Sequence, residues 1–395
     1  MHLAPGVEPP QPDASLARDP WRLFFPLGAL LAWAGILHWL LYAVGATKEY
    51  RAAFHATAQI QGFLTCIAVG FLLTFVPRRT GTAPASGWEL ATAAAGPVCA
   101  TLAAFLERWA LAQALWLAGV LVVAAFVVRR LLSPGAAQRL PGVFVWVPVG
   151  LVAGAVGAAL VAVAAVLGPR EEPELWLLGR GALLQGMVTA LVVGVGGTML
   201  PTLTRGSLPT GARPGKGRLV QAAAAVLFFA TFPLEAYGAP RLGLAVRALV
   251  AGGALAMAAR AWRPPTVSGL HRRLIWIAAW LLPAGYALAA VFPELRSAAL
   301  HLTFVGSFAL LALSVSLHVA LSHGGRPELL GSRPWQVWAL GALVLGAAAF
   351  RLLAGLDPAR LRLWLGCASA SFLLATLAWA ALVLPAIRAA RAPAA

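Results

Sequence analysis

Apolar stretches of about 20 residues follow one another along almost the whole chain, separated by short polar or glycine- and proline-rich breaks. An α-helix needs about 20 apolar residues to cross the hydrocarbon core of a membrane. Twelve stretches reach this length: 21–45, 54–76, 88–106, 111–130, 142–167, 175–203, 219–237, 241–261, 273–292, 297–321, 335–354 and 361–387. The pattern predicts an all-α polytopic membrane protein with twelve transmembrane helices.

The second and sixth stretches resemble each other at a fixed spacing. Residues 61–77 and 185–201 share a glutamine, three kinds of small or branched residue and a closing proline. The identical pairs are Gln61 and Gln185, Gly62 and Gly186, Thr65 and Thr189, Val69 and Val193, Gly70 and Gly194, Thr74 and Thr198, and Pro77 and Pro201. A fainter third copy begins near His301 in the tenth stretch. Repeats of this kind set the architecture, and this one predicts a four-helix unit used three times.

The amino-acid composition also indicates an integral membrane protein. The chain is 61% hydrophobic and 11% charged, whereas a soluble domain is about 25% charged. Its net charge of +17 would suggest nucleic acid as a partner in a soluble protein. Here the arginines lie in short loops between apolar stretches and act as topology signals. We therefore expect the lipid bilayer, and no nucleic acid, as the surrounding partner.

The distribution of basic residues predicts the orientation. Most of the 30 Lys and Arg residues fall on the side of the chain that carries both termini, which the positive-inside rule places in the cytoplasm. The richness in Ala, Gly and Arg is typical of a bacterial chain. We expect a multi-pass protein of the bacterial inner (cytoplasmic) membrane, with both termini cytoplasmic.

The predicted domain organisation is simple. Residues 1–20 contain five prolines and no apolar run, which predicts a disordered cytoplasmic tail. Residues 21–388 form one twelve-helix domain, and residues 389–395 form a short cytoplasmic tail. The three cysteines lie in apolar stretches without CxxC spacing, so we interpret them as packing residues.

Three histidines are predicted in the outer half of the membrane. His55 and His301 lie where the second and tenth helices enter from outside, and His38 lies about 10 Å below the outer end of the first helix. Polar side chains within spans are costly and are functional candidates. Two imidazoles at one depth on different helices could bind a haem iron from both faces. The alternative is that the three histidines only form hydrogen bonds across helices.

Other polar residues are predicted in the same layer. Gln59 follows His55 by one turn, and Arg180 and Gln185 open the sixth helix. An arginine at this depth could pair with a haem propionate.

The remaining histidines are predicted elsewhere. His318 and His323 lie about 25 to 33 Å beyond His301 along the tenth helix, towards the cytoplasm. His2 and His271 fall outside the predicted stretches, and we expect both to be solvated.

Three segments together resemble the NnrS family of twelve-helix bacterial membrane proteins, which are associated with haem, copper and the response to nitric oxide. The segments are HATAQIQGFLTCIAVGFLLTFVPRRTG at 55–81, GRGALLQGMVTALVVGVG at 179–196, and HLTFVGSF followed by LSHGGRP from residue 301. The resemblance implies haem b, copper as a further metal, and nitric oxide or another diatomic molecule as a ligand. It also implies a redox partner.

The family pattern fits some positions and not others. His55, His301 and His323 match family positions, and the glutamine at Gln59 is familiar from members of the family. Family members often have His-Ala-His at the start of the second helix, whereas this chain has His55-Ala56-Thr57. The second imidazole of that motif is therefore absent. His318 stands where an arginine is commoner, and His38 belongs to no motif.

The threefold repeat is similar to the core subunit of the haem–copper oxidases, which has twelve helices in three arcs. That similarity implies haem between helices 2 and 10 near the outer side, with His55 and His301 as ligands and His38 as a neighbour or extra ligand. The stretch 175–203 contains no His, Cys, Asp or Glu, so we expect no oxidase-type copper centre. The copper candidates are His38, or His318 with His323, which could share a metal only if the helix ends between them.

Three functional classes stay open from the sequence. The first is a haem-binding membrane protein of nitric oxide metabolism or defence that binds a small ligand or passes electrons. The second is a twelve-helix small-molecule transporter, and the third is a structural or assembly subunit without a cofactor. No particular reaction is predicted.

Overall fold

The computed structural model describes residues 16–134, 140–206 and 214–389. Within these ranges the chain is helical without strands, and it has twelve helices long and apolar enough to cross a membrane. They are α1 Trp21–Ala43, α2 Ala52–Thr80, α3 Gly87–Phe105, α4 Trp109–Leu131, α5 Gly142–Leu167, α6 Pro173–Arg205, α7 Gly217–Ala236, α8 Pro240–Ala259, α9 Leu270–Val291, α10 Pro293–His323, α11 Trp335–Leu356 and α12 Pro358–Ala389. The predicted twelve-span membrane architecture is confirmed. We call the end of the bundle at which α2, α6 and α10 begin the outer end, after the predicted orientation.

Helix α2 is longer than the sequence predicts. The predicted apolar stretch ends at residue 76, one residue before Pro77. In the structure the helix continues through Pro77 to Thr80 and stops at Gly81, whose φ is 69°. Glycine adopts this left-handed conformation without steric cost, and its N–H donates to the Pro77 carbonyl at 2.8 Å. The glycine, and not the proline, ends the helix.

Three helices form the inside of the bundle. In the most apolar stretch of α2, α6 and α10, 89%, 83% and 83% of the residues are buried, against 28–56% in the other helices of the described chain. A helix that is apolar on all sides is expected to be buried. The remaining helices surround these three and leave one side towards lipid.

Each of the three inner helices contains one stretch of π-helix. These stretches are Ala58–Leu64 in α2, Gly181–Met187 in α6 and Leu302–Ala309 in α10. All three lie in the half of the helix nearer the outer end. A π-helical turn widens the helix and often occurs at functional sites, so the outer halves of the inner helices are where a site is expected.

The repeated residues make matching contacts in α2 and α6. A Cβ added to Gly70 would lie 2.8 Å from a side-chain carbon of α1, and one added to Gly194 would lie 2.7 Å from a side-chain carbon of α5. The hydroxyls of Thr74 and Thr198 donate to the carbonyls of these two glycines, at 2.7 and 2.9 Å. The sequence identities therefore serve close helix packing. A threefold arrangement of the whole fold stays a prediction.

The predicted tails fall largely outside the described residues. Residues 1–15, which include His2, and residues 390–395 are not described. The last residues before α1 contact the bundle, because Asp19 accepts a hydrogen bond from the Arg78 guanidinium at 2.7 Å. Cys66, Cys99 and Cys367 are free thiols.

Close packing at Gly70 predicts a specific sensitivity to added volume. Gly70→Ala should lower the free energy of unfolding by about 1–3 kcal/mol, because its Cβ meets the fixed Cβ of Phe24. Gly253→Ala in α8 is the matched control, since nothing lies within 4 Å of its added Cβ. That control should be neutral or stabilising by up to about 1 kcal/mol. Thermal unfolding in detergent measures both variants, and equal stability of the two would contradict the packing argument.

Candidate cofactor site

A cavity of about 310 Å³ lies at the outer end of the bundle, surrounded by α1, α2, α6, α7, α10, α11 and α12. Its volume lies within the range of small-molecule and cofactor pockets. All three π-helical stretches contribute wall residues. Aromatic rings form much of the apolar wall, namely Trp39, Phe63, Phe232, Phe304 and Phe372. The cavity therefore offers flat aromatic surfaces next to a small number of polar groups.

The five residues predicted to bind a cofactor all line this one cavity. They are His55, Gln59, Arg180, Gln185 and His301. Each lies in, or within three residues of, the π-helical stretch of its helix. The wide turns thus occur where the inner helices present polar side chains to a shared space.

His55 is positioned by the backbone of α1. Its Nδ1 lies 3.2 Å from the Gly35 carbonyl oxygen. The two helices approach this closely because Gly35 has no side chain, and an added Cβ would lie 2.7 Å from the Cβ of Ala58. A carbonyl only accepts hydrogen bonds, so Nδ1 carries the proton and Nε2 keeps its lone pair. This tautomer leaves Nε2 as the metal-binding nitrogen.

His301 is positioned in the same way by its own helix. Its Nδ1 donates to the Ser297 carbonyl at 2.6 Å, and its ring meets the Phe304 ring edge-on with centroids 5.8 Å apart. Among the described residues, Nε2 of neither His55 nor His301 has a hydrogen-bond partner. Histidines that bind metals usually donate their other N–H to a carbonyl or carboxylate. Both imidazoles have the protonation and anchoring of a metal ligand.

The two glutamines are held by different partners. Gln59 donates from Nε2 to the Ala32 carbonyl on α1 at 2.9 Å. Gln185 accepts at Oε1 from the Arg247 guanidinium on α8 at 3.0 Å. Both amides are therefore fixed before any ligand enters.

Arg247 organises a buried network that the sequence analysis missed. The side chain has no exposed surface. It donates from Nε to the Thr231 hydroxyl at 2.7 Å, pairs with Glu235 at 2.5 Å, and lies 3.8 Å above the Phe232 ring. Arg296, on α10, pairs with the other oxygen of Glu235. The sequence could have pointed to Arg247, because it is a charged residue inside a predicted apolar stretch, and such residues usually have a function or a buried partner.

Two further cations line the cavity. Arg180 stacks over the Trp176 ring at 5.3 Å. Arg351, near the outer end of α11, was also not among the predicted site residues, and it lines the same cavity as His55 and His301. The cavity consequently has a positive wall beside its two imidazoles.

Thr57, which stands where the family motif has its second histidine, does not line the large cavity. Thr57 is buried and lines a smaller cavity of about 20 Å³ between α2, α4, α5 and α6. Gln61 and Gln113 line the same space and exchange two amide hydrogen bonds, at 2.9 and 3.1 Å. The missing second imidazole therefore does not remove a group from the wall of the large cavity.

His38 lies beside the cavity and not in its wall. Its Nε2 accepts a hydrogen bond from the Arg51 backbone N–H at 3.1 Å, and its ring contacts the Trp39 ring with centroids 5.1 Å apart. The lone pair that would bind a metal is occupied by this backbone contact. The geometry gives His38 a helix-connecting role at the α1–α2 turn.

The histidines at the opposite end are arranged differently from the prediction. The expectation that His271 is solvated is wrong: it is 2% exposed, in the first turn of α9, and lies 3.0 Å from His318 between Nε2 and Nδ1. The helix does not end between His318 and His323, because α10 continues to His323. His318 and His323 could share a metal only if the helix ended between them, so this condition is not met. Over the described residues, no group of three or more His, Cys, Asp or Glu side chains could hold a metal ion.

The sequence model of a family described as NnrS protein matches residues 15–391. No curated protein matches the chain.

The Arg247 network predicts a large loss of stability when its centre is removed. Arg247→Met leaves Gln185 without its donor and Glu235 with one cation instead of two. Because breaking a buried ion pair leaves an uncompensated group, we expect a loss of about 3–5 kcal/mol in the free energy of unfolding. The control is Arg241→Met on the exposed first turn of the same helix, which should change stability by less than about 0.5 kcal/mol. Unfolding in detergent, followed by circular dichroism, tests the pair; similar stability of both variants would contradict the central role of Arg247.

Proposed function

Since the chain belongs to the NnrS family of nitric-oxide-response membrane proteins, we propose that it binds haem b between α2 and α10 near the outer end. His55 and His301 would bind the iron through Nε2. The observation that carries this proposal is the matched pair of imidazoles, each with Nδ1 bonded to a backbone carbonyl and Nε2 without a protein partner among the described residues.

The residues around the cavity suit a porphyrin. The walls of the cavity combine aromatic rings with anchored polar groups, and the volume of the cavity is about 310 Å³. Neutral imidazole is an established axial ligand of haem iron. Gln59 and Gln185 are held in place by Ala32 and Arg247, so they restrict the orientation of whatever occupies the cavity.

Haem bound here would supply an iron that exchanges electrons or binds a diatomic molecule such as nitric oxide. The protein would supply the positions of both imidazoles, an apolar surrounding that keeps water away, and positive charge from Arg180 and Arg351. With both His55 and His301 holding the iron, the site would favour electron exchange with a redox partner. Release of either imidazole would be needed for the site to accept a diatomic ligand.

Copper, the further metal that the family resemblance implies, is not part of the proposed haem site. Of the predicted copper candidates, His38 uses Nε2 for the Arg51 backbone, and His318 is bonded to His271. The Nδ1 atom of His323 forms a hydrogen bond with the Val319 carbonyl oxygen. None of the three lines the large cavity, so copper has no part in the proposed haem site.

An absorption spectrum tests the proposal directly. Protein purified from cells supplied with haem should show a Soret band, and pyridine extraction should identify haem b. His55→Ala and His301→Ala should each lose most of this band, because one axial ligand is removed. His323→Ala, at the opposite end of α10, is the control and should keep it. Size-exclusion chromatography confirms that each variant is folded.

Two results would contradict the proposal. One is a colourless, folded wild-type protein, which would favour the structural-subunit or transporter alternatives. The other is an unchanged band in both His55→Ala and His301→Ala. With haem present, nitric oxide added to the reduced protein separates the two roles: a spectral shift indicates ligand binding, and an unchanged spectrum indicates electron transfer.

A further inference from the structure

The charges around the cavity do not balance among the described residues. Arg180, Glu235, Arg296 and Arg351 line it. Glu235 is already shared between Arg296 and Arg247. In the described part of the chain, neither Arg180 nor Arg351 has a carboxylate as an ion-pair partner. Two guanidinium groups on different helices therefore face the cavity without a counter-charge.

Arg351 is the more informative of the two. It is partly buried and lies five residues before Leu356, the last residue of α11, which places it about 7.5 Å below the outer end of the helix. Charged side chains inside a membrane pair with one another or mark the pathway of a ligand. It lines the same cavity as His55 and His301, so it shares a wall with the proposed iron-binding pair.

We infer that Arg351, together with Arg180, forms a two-point binding site for carboxylates, and that the occupant of the cavity carries two of them. This inference rests on the proposed function and deepens it, because haem has two propionate groups. Arginine suits the role, since its planar guanidinium binds a carboxylate through two parallel N–H···O bonds. The competing explanation is that both side chains extend towards the outer surface and meet lipid phosphates.

A comparison of haem with its dimethyl ester separates these explanations. The ester has the same ring and iron but no negative charge. Haem-free wild-type protein should bind haem at least about tenfold more tightly than the ester, since hydrogen bonds between charged groups are lost. Arg351→Gln should weaken haem binding by roughly tenfold and leave ester binding nearly unchanged. Arg351→Lys should recover part of the preference, because the charge remains but the paired geometry does not.

Thermal unfolding of the haem-free protein gives a second readout. Arg351→Gln should unfold at the same temperature as wild type, or higher, because no ion-pair partner among the described residues is lost. The rise in unfolding temperature caused by haem should be smaller in this variant. Arg241→Gln is the control: it lies at the same end of the bundle, is exposed and stands outside the cavity, and should leave both quantities unchanged.

The outcomes are distinct. Tight, histidine-dependent binding of haem and ester with equal affinity would overturn the carboxylate site and leave the proposed haem function standing. The same holds if Arg351→Gln and Arg180→Gln both keep the full preference for haem. If wild-type protein binds neither molecule, the proposed function fails and this inference fails with it.

Discussion

Hydrocarbon offers no partner for a polar group, so every polar side chain in this bundle has to be satisfied by the protein. The structure meets this constraint by pairing polar residues between neighbouring helices and leaving apolar faces towards lipid. Arg247 shows the principle in its strongest form, because it is completely buried and is bonded to Thr231, Glu235 and Gln185. Gln61 and Gln113 satisfy each other in the same way. The Nε2 atoms of His55 and His301, which have no hydrogen-bond partner among the described residues, belong to side chains that line the cavity.

The same constraint explains how the imidazoles are held. A histidine anchored by an acidic side chain would bring a charge into the membrane, whereas His55 and His301 are anchored by backbone carbonyls. For His55 the carbonyl belongs to another helix, and glycine at position 35 allows the close approach. Both anchors fix the tautomer and the direction of the ring at little electrostatic cost. A site assembled from neutral ligands and backbone acceptors is suited to a low-dielectric surrounding.

The cavity is nevertheless not neutral. Glu235 balances only part of the surrounding positive charge, and Arg180 and Arg351 lie beside the aromatic walls. A positive wall stabilises anionic groups and also stabilises an added electron on any bound redox centre. The chain belongs to the NnrS family of nitric-oxide-response membrane proteins. Under the proposed function, the cavity would hold a cofactor with both a metal and carboxylates.

The sequence alone determined the number of spans, the resemblance between α2, α6 and α10, and five of the residues that line the outer cavity, because length, hydropathy and depth are local properties of a chain in a membrane. It also identified Gly70 and Gly194 through the repeat. Tertiary structure decided the remainder. Inner helices are apolar on nearly all sides, so periodicity does not reveal which way a side chain points. Contacts between different helices are also not encoded in the local pattern, so only the packed bundle shows His271 beside His318, Arg247 beside Glu235, and Arg351 in the same cavity wall as the two imidazoles. Likewise, the apolar stretch ends at residue 76, but α2 continues to Thr80 and ends at the left-handed backbone of Gly81.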